Sequence, residues 1–143
     1  MSGTPRAAIS PVVTLLAVAA EWEARLDREL RELGLTTRKY GLLAHVEATP
    51  GISFSELARR SRITVQSAHA AVRMLVDAGF AADANAHAGA ASELRVTDAG
   101  QRVLADAERM LARLDAEFGS GAPALAAALG GAHEDHLPEH TSN

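Results

Sequence analysis

The stretch from Pro50 to Phe80, PGISFSELARRSRITVQSAHAAVRMLVDAGF, leaves this chain few ways to fold. It begins with SFSE at 53–56, a capping box. Ser53 is set to accept from the backbone N–H of Glu56, and the Glu56 side chain to reach back to Ser53. That predicts a short helix over Phe54–Arg60, followed by the three-residue turn Ser61-Arg62-Ile63. Thr64 then caps a second helix that runs to Ala78 and stops at Gly79. Two short helices joined by so tight a turn are the sequence form of a helix-turn-helix.

The flanks are helical as well. Pro11 suits the first turn of a helix reaching Leu33, along which Leu15, Val18, Ala19, Trp22, Leu26, Leu30 and Leu33 recur at helical spacing, with Gly34 as its stop. Thr36 or Thr37 caps a helix over about Arg38–Ala48, ended by TPG at 49–51. After Gly79, FAAD and SELRV are short extended stretches around the small-residue loop ANAHAGAA, which predicts a β-hairpin. Thr97 caps a long helix whose apolar stripe is Val103, Leu104, Ala107, Met110, Leu111, Leu114 and Phe118, ended by GSGAP at 119–123. ALAAAL at 124–129 predicts one more short helix.

The expected fold is therefore mainly α with a small β-hairpin wing. Residues 34–97 form a winged helix-turn-helix, while 11–33 and 98–130 supply dimerisation helices. Residues 1–10 and the His-containing tail 131–143 are expected to be disordered, because they have little to bury. The first and last helices carry apolar stripes with no partner inside so small a central module. A second copy of the chain would cover both, so a homodimer is expected.

Composition excludes several functions. There is no cysteine, hence no disulfide, thiolate nucleophile or thiolate-held metal. The run ISPVVTLLAVAA is too short to span a bilayer, and a soluble cytoplasmic protein with no membrane partner is expected. No phosphate-binding loop, dinucleotide fingerprint, HExxH or G-x-S-x-G is present, so no catalytic residue and no cofactor are assigned. His133, His136 and His140 lie among acids in HEDHLPEH, a segment read as a solvated acidic tail rather than a metal site.

The net charge of −4 argues against a polyanionic partner, but its distribution does not. Residues 34–102 hold eight Lys/Arg against six acids, whereas 103–143 hold two Arg against seven. On a wheel of the second helix, Val65, Ala68, Ala71, Val72, Leu75 and Val76 fall on the core face. Gln66, Ser67, Ala70, Arg73, Met74 and Asp77 fall opposite, with His69 on the flank. Gln66 suits adenine, Thr64 and Ser67 either role, Ala70 a thymine methyl, and Arg73 guanine or phosphate. His69 is a further candidate contact. Phosphate-holding cations would come from Arg59, Arg60 and Arg62 around the turn, Arg38 and Lys39 before it, and Arg95 near the wing.

In this order and spacing, LTTRKYGLLAHV (35–46), the helix-turn-helix at 50–80 and LRVTDAGQRVL (94–104) resemble the MarR family of winged-helix transcriptional regulators, over about residues 12–118. The resemblance implies an interlocked dimer on a pseudo-palindromic double-stranded DNA operator, and a small, often aromatic or phenolic, effector that relieves repression. It also implies that Trp22, Tyr40 and His45 could line the effector pocket. Two departures from the family pattern stand out. Ala70 stands where members commonly carry a basic residue, and the one they also carry near Val65 is lacking. The wing loop AHAGAASE has Gly89 and Ala90 where they commonly carry Arg. Those departures leave a second reading open, a winged-helix ligand-binding or protein-interaction module with weak or lost DNA reading.

Overall fold

A computed structural model of the chain describes residues 10–85 and 93–134. The elements are α1 (Pro11–Glu32), α2 (Thr37–Ala48), α3 (Phe54–Ser61), α4 (Val65–Asp77), β1 (Ala81–Asp83), β2 (Leu94–Val96), α5 (Asp98–Gly121) and α6 (Pro123–Glu134). The chain divides into two compact units between Ala107 and Glu108, inside α5.

Local chemistry sets the boundaries of the first unit. Pro11 occupies the first turn of α1, and Gly34, at φ 78°, turns the chain out of it. The Thr36 side chain accepts from the backbone N–H of Lys39, which settles the start of α2. Ser53 and Thr64 cap α3 and α4 in the same way, accepting from the N–H groups of Glu56 and Ser67. The reciprocal half of the expected capping box does not form. The Glu56 carboxylate turns instead to two arginines one turn further along α3, which offer charged donors in place of an amide.

Leu30, Leu35, Leu42, Leu43, Leu57, Leu75 and Leu94 are shut away almost completely and form the centre of this unit. Each contributes about 1.5–3 kcal/mol relative to remaining in water. α2, α3 and α4 pack on one another, and β1 runs back along α4. β1 and β2 pair antiparallel, with Ala81 opposite Val96 and Asp83 opposite Leu94. Gly51 N–H donates to the Leu94 carbonyl at 2.8 Å, so the segment before α3 lies along the hairpin. Asp83 Oδ1 accepts from the N–H groups of Asn85 and Glu93 (3.1 and 2.9 Å) and ties the two strands together at the base of the wing. Most of the wing loop, including Gly89 and Ala90, lies outside the described residues.

α1 changes character along its length. Leu30 is buried and Trp22 and Leu26 are half-buried, but Val12, Val13, Leu15 and Leu16 are each more than half exposed. In α5, Val103, Leu104, Ala107, Met110 and Leu114 of the expected stripe are buried.

One expectation is corrected here. α5 ends at Gly121, inside the GSGAP stretch, but α6 extends past 124–129 to Glu134, into the expected tail. Glycine costs about 1 kcal/mol in a helix interior. The alanine-rich neighbourhood of Gly130 and Gly131 tolerates that cost. His136 and His140 lie outside the described residues.

Candidate nucleic-acid interface

α4 presents a face that nothing in its own unit covers. Ala68, Ala71, Val72 and Leu75 point inward, whereas Gln66, His69, Ala70 and Arg73 are exposed. Val65 and Val76, expected on the core face, are instead 43% and 40% exposed. At 100° per residue both sit at the edge of the apolar arc, roughly 70–90° from its centre, where α2 and α3 no longer reach them.

Thr64 and Ser67 are bonded to one another at the start of α4. Thr64 Oγ1 accepts from Ser67 N–H at 3.1 Å and donates to Ser67 Oγ at 2.9 Å, and Ser67 is half-buried. The Thr64 hydroxyl caps the helix. His69 is held more tightly than a flank position suggests, because its ring stacks on Phe54 of α3 with 3.7 Å between centroids and 22° between planes. The stack fixes which way the imidazole edge faces and clamps α3 to α4.

The turn is made by an arginine in an unusual conformation. Arg62 has φ 54°, the left-handed region, and its N–H closes the end of α3 on the carbonyls of Ala58 and Arg59. Its side chain is exposed. Arg38 and Lys39 stand in the first turn of α2. Among the described residues, Arg38, Lys39, Arg62 and Arg73 have no carboxylate partner.

The other three candidate cations are neutralised within the fold. Glu56 holds Arg59 through Oε2 and Oε1 (2.9 and 2.5 Å) and Arg60 through Oε1 (2.8 Å). Arg60 also donates to Thr49 Oγ1 at 2.9 Å. The hydrogen bonds from Arg59 and then Arg60 hold the Glu56 carboxyl down at about 2, and the same bond raises Arg59. Arg95 pairs with Glu93 on the wing. Both sets of pairs lie at the surface, where such contacts contribute little to stability, but they do decide which cations are available.

The three suggested effector residues go to different surroundings. Trp22 lies under the guanidinium of Arg25, 4.5 Å from the ring centroid, and Tyr40 is half-buried. His45 lines a cavity of about 450 Å³ between α2 and the turn, together with Arg38, Ser61 and Arg62. Neither Trp22 nor Tyr40 lines it. The sequence reading did not find this cavity. Its one legible sign was Gly41, a glycine in the middle of a helical pattern.

A model described as MarR family matches residues 33–88. The HTH-type transcriptional repressor Rv2887 of Mycobacterium tuberculosis is 31% identical over 103 residues, 71% of this chain and 74% of the relative. The crystal structure of that protein in complex with salicylic acid is 27% identical, with a TM-score of 0.65 over 93% of this chain and 100% of the other. Its crystal structure in complex with DNA is 24% identical, with a TM-score of 0.72 over 90% and 99%, and shares the fold.

Proposed function

The chain belongs to the MarR family, and on that premise we propose that it is a DNA-binding transcriptional repressor acting as a homodimer on a pseudo-palindromic operator. One observation carries the reading. The uncovered face of α4 offers Gln66, His69, Ala70 and Arg73, and the cations Arg38, Lys39 and Arg62, with no carboxylate partner among the described residues, lie at the start of α2 and on the turn that leads into α4. α4 enters the major groove, Gln66 pairs with adenine, Ala70 and the exposed Val65 meet thymine methyls, and Arg73 takes guanine. Arg38, Lys39 and Arg62 hold phosphates and set the register without reading bases. The exposed apolar start of α1 supports the dimer, since a second copy would cover Val12, Val13, Leu15 and Leu16.

A small aromatic or phenolic effector relieves repression in this reading. The relative from M. tuberculosis, solved with salicylic acid, supports it. None of the described helices is long and apolar enough to cross a membrane. Capture of genomic fragments at low salt tests the proposal. Recovery of one enriched pseudo-palindrome is expected. Diffuse recovery with no enriched sequence would overturn it. That outcome would favour the module with weak DNA reading, for which the pairing of Arg95 with Glu93 already speaks.

A further inference from the structure

The uncovered face of α4 carries apolar residues that the fold itself does not use. Val65 is 43% exposed, Met74 is 53% exposed, and Ala70 is exposed as well. The buried residues of this helix are Ala68, Ala71, Val72 and Leu75, so the core is filled without the other three. Helix stability does not call for them either. An exposed valine or methionine gains nothing there over alanine, and the β-branched Val65 is the poorer helix former.

Their placement has a pattern. Ala70 and Met74 lie one turn apart on the same edge of the helix, about 6 Å along its axis. Val65 lies about 140° round from Ala70 and about 7.5 Å before it. Gln66, His69 and Arg73 occupy the arc between. The groups that can read donors and acceptors thus form a central strip with an apolar edge on each side. Arg73 is the one Lys or Arg of α4. Asp77, exposed at the last residue of the helix, puts a negative charge at its C-terminal end. That charge repels phosphates, so the half of α4 that carries Val65, Gln66 and Ala70 enters a groove deepest.

In the major groove the apolar feature of a base edge is the 5-methyl group of thymine. A 5-methylcytosine carries its methyl group at the same ring position. Val65 and Ala70 have no donor or acceptor with which to tell thymine O4 from the cytosine amino group, and Met74 has only a weakly accepting sulfur. We infer that the apolar edges of α4 read 5-methylpyrimidines, taking thymine and 5-methylcytosine alike. Cytosine methylation is then a DNA modification that tightens binding at those positions. Methyl contacts also supply affinity that salt does not screen, on a helix with a single cation. The inference rests on the DNA-binding reading and names the feature of DNA that the edges of the reading face take.

The test uses the enriched fragment from the genomic capture, resynthesised with one thymine at a time replaced by uracil, which removes only the methyl group. Burial of one methyl group corresponds to about a fourfold change in affinity. At least one thymine in each half-site should show that loss, with the salt slope unchanged. With a C·G pair placed at such a position, methylating the cytosine should tighten binding by the same factor. Val65→Thr, Ala70→Ser and Met74→Gln exchange apolar for polar surface at exposed positions, so each should keep the thermal midpoint within about 4 °C. Each variant should also lose the uracil penalty at the position its residue contacts, a coupling that altered DNA bending would not produce. Uracil tolerated at every position, or a penalty that all three variants leave intact, overturns the inference and leaves the DNA-binding reading standing. A capture with no enriched fragment overturns both.

Discussion

The carbonyl oxygen of Phe80 stands where Gly100 would carry a side chain. A Cβ on Gly100 would lie 2.0 Å from that oxygen and 2.6 Å from Val96 Cγ1. The same carbonyl accepts from Thr97 N–H at 3.0 Å, and the Thr97 hydroxyl accepts from Gly100 N–H at 3.1 Å while donating to the Gly79 carbonyl at 2.5 Å. The start of α5 is thus pressed onto the end of α4 and the base of the wing through backbone atoms, with no room for a methyl group.

Gly100→Ala should therefore destabilise the fold, although alanine is the better helix former. The obstacle is a backbone oxygen rather than a flexible side chain, and overpacking of this kind costs about 3 kcal/mol. Urea unfolding will measure it. A loss below about 1 kcal/mol would mean that the junction yields easily.

Arg62→Gly should separate stability from DNA binding. The left-handed backbone at 62 costs an L-residue about 1 kcal/mol that glycine does not incur. The variant should accordingly unfold at a higher temperature. It should also bind DNA more weakly. With Arg38, Lys39 and Arg62 from each protomer on phosphates, the slope of log K against log salt is expected near about −5, and the variant's should be shallower by about 2. Equal slopes would remove Arg62 from the phosphate contacts.

Glu56 sets a different test. Its carboxyl is held down at about 2 by hydrogen bonds from Arg59 and then Arg60, against 4.5 ordinarily. A lowered carboxylate contributes stability that is fully present above the unfolded value. That stability fades as pH falls from 4.5 through about 2. The Glu56 carboxyl carbon should titrate near the lower value in an NMR series, and Glu56→Gln should remove this pH dependence. At neutral pH the same variant releases two arginines, so DNA affinity should rise and its salt slope steepen.

Gln66→Ala is expected to act on sequence preference alone. Loss of a side chain that pairs with adenine should relax discrimination at one operator position by about 1–3 kcal/mol, with the salt slope unchanged, because no counterion contact is lost. A binding competition across all four bases at that position will read the effect. A uniform loss across bases would place Gln66 on the backbone instead.

Much of this architecture was written in short-range chemistry. Ser53, Thr64 and Thr36 cap the helices they were expected to cap, and Gly34 and Gly79 end α1 and α4 with φ near 80°. Such features depend on residues within one turn of each other, which is why a sequence displays them. The apolar inventory of α4 was legible only in its centre. Ala68, Ala71, Val72 and Leu75 are buried as the wheel requires, but Val65 and Val76 are not. Burial at the edge of an arc depends on how far the neighbouring helices extend.

The partition of charge was decided by tertiary structure. By sequence alone, Arg59, Arg60, Arg62, Arg38, Lys39 and Arg95 were equivalent cations near a reading helix. Folding commits Glu56 to two of them and Glu93 to a third, and leaves the rest uncovered. A carboxylate goes to whichever guanidinium its rotamer brings within hydrogen-bond reach, and that is a property of three-dimensional proximity. The cavity beside Gly41 has the same origin, since its walls come from residues about 20 positions apart in the chain that meet only when α2 packs against the turn. The sequence by itself determined where helices begin and end and which face of α4 is apolar, because those choices are made within a turn of helix. Which charges remain free for a partner, and where a pocket opens among them, followed from packing.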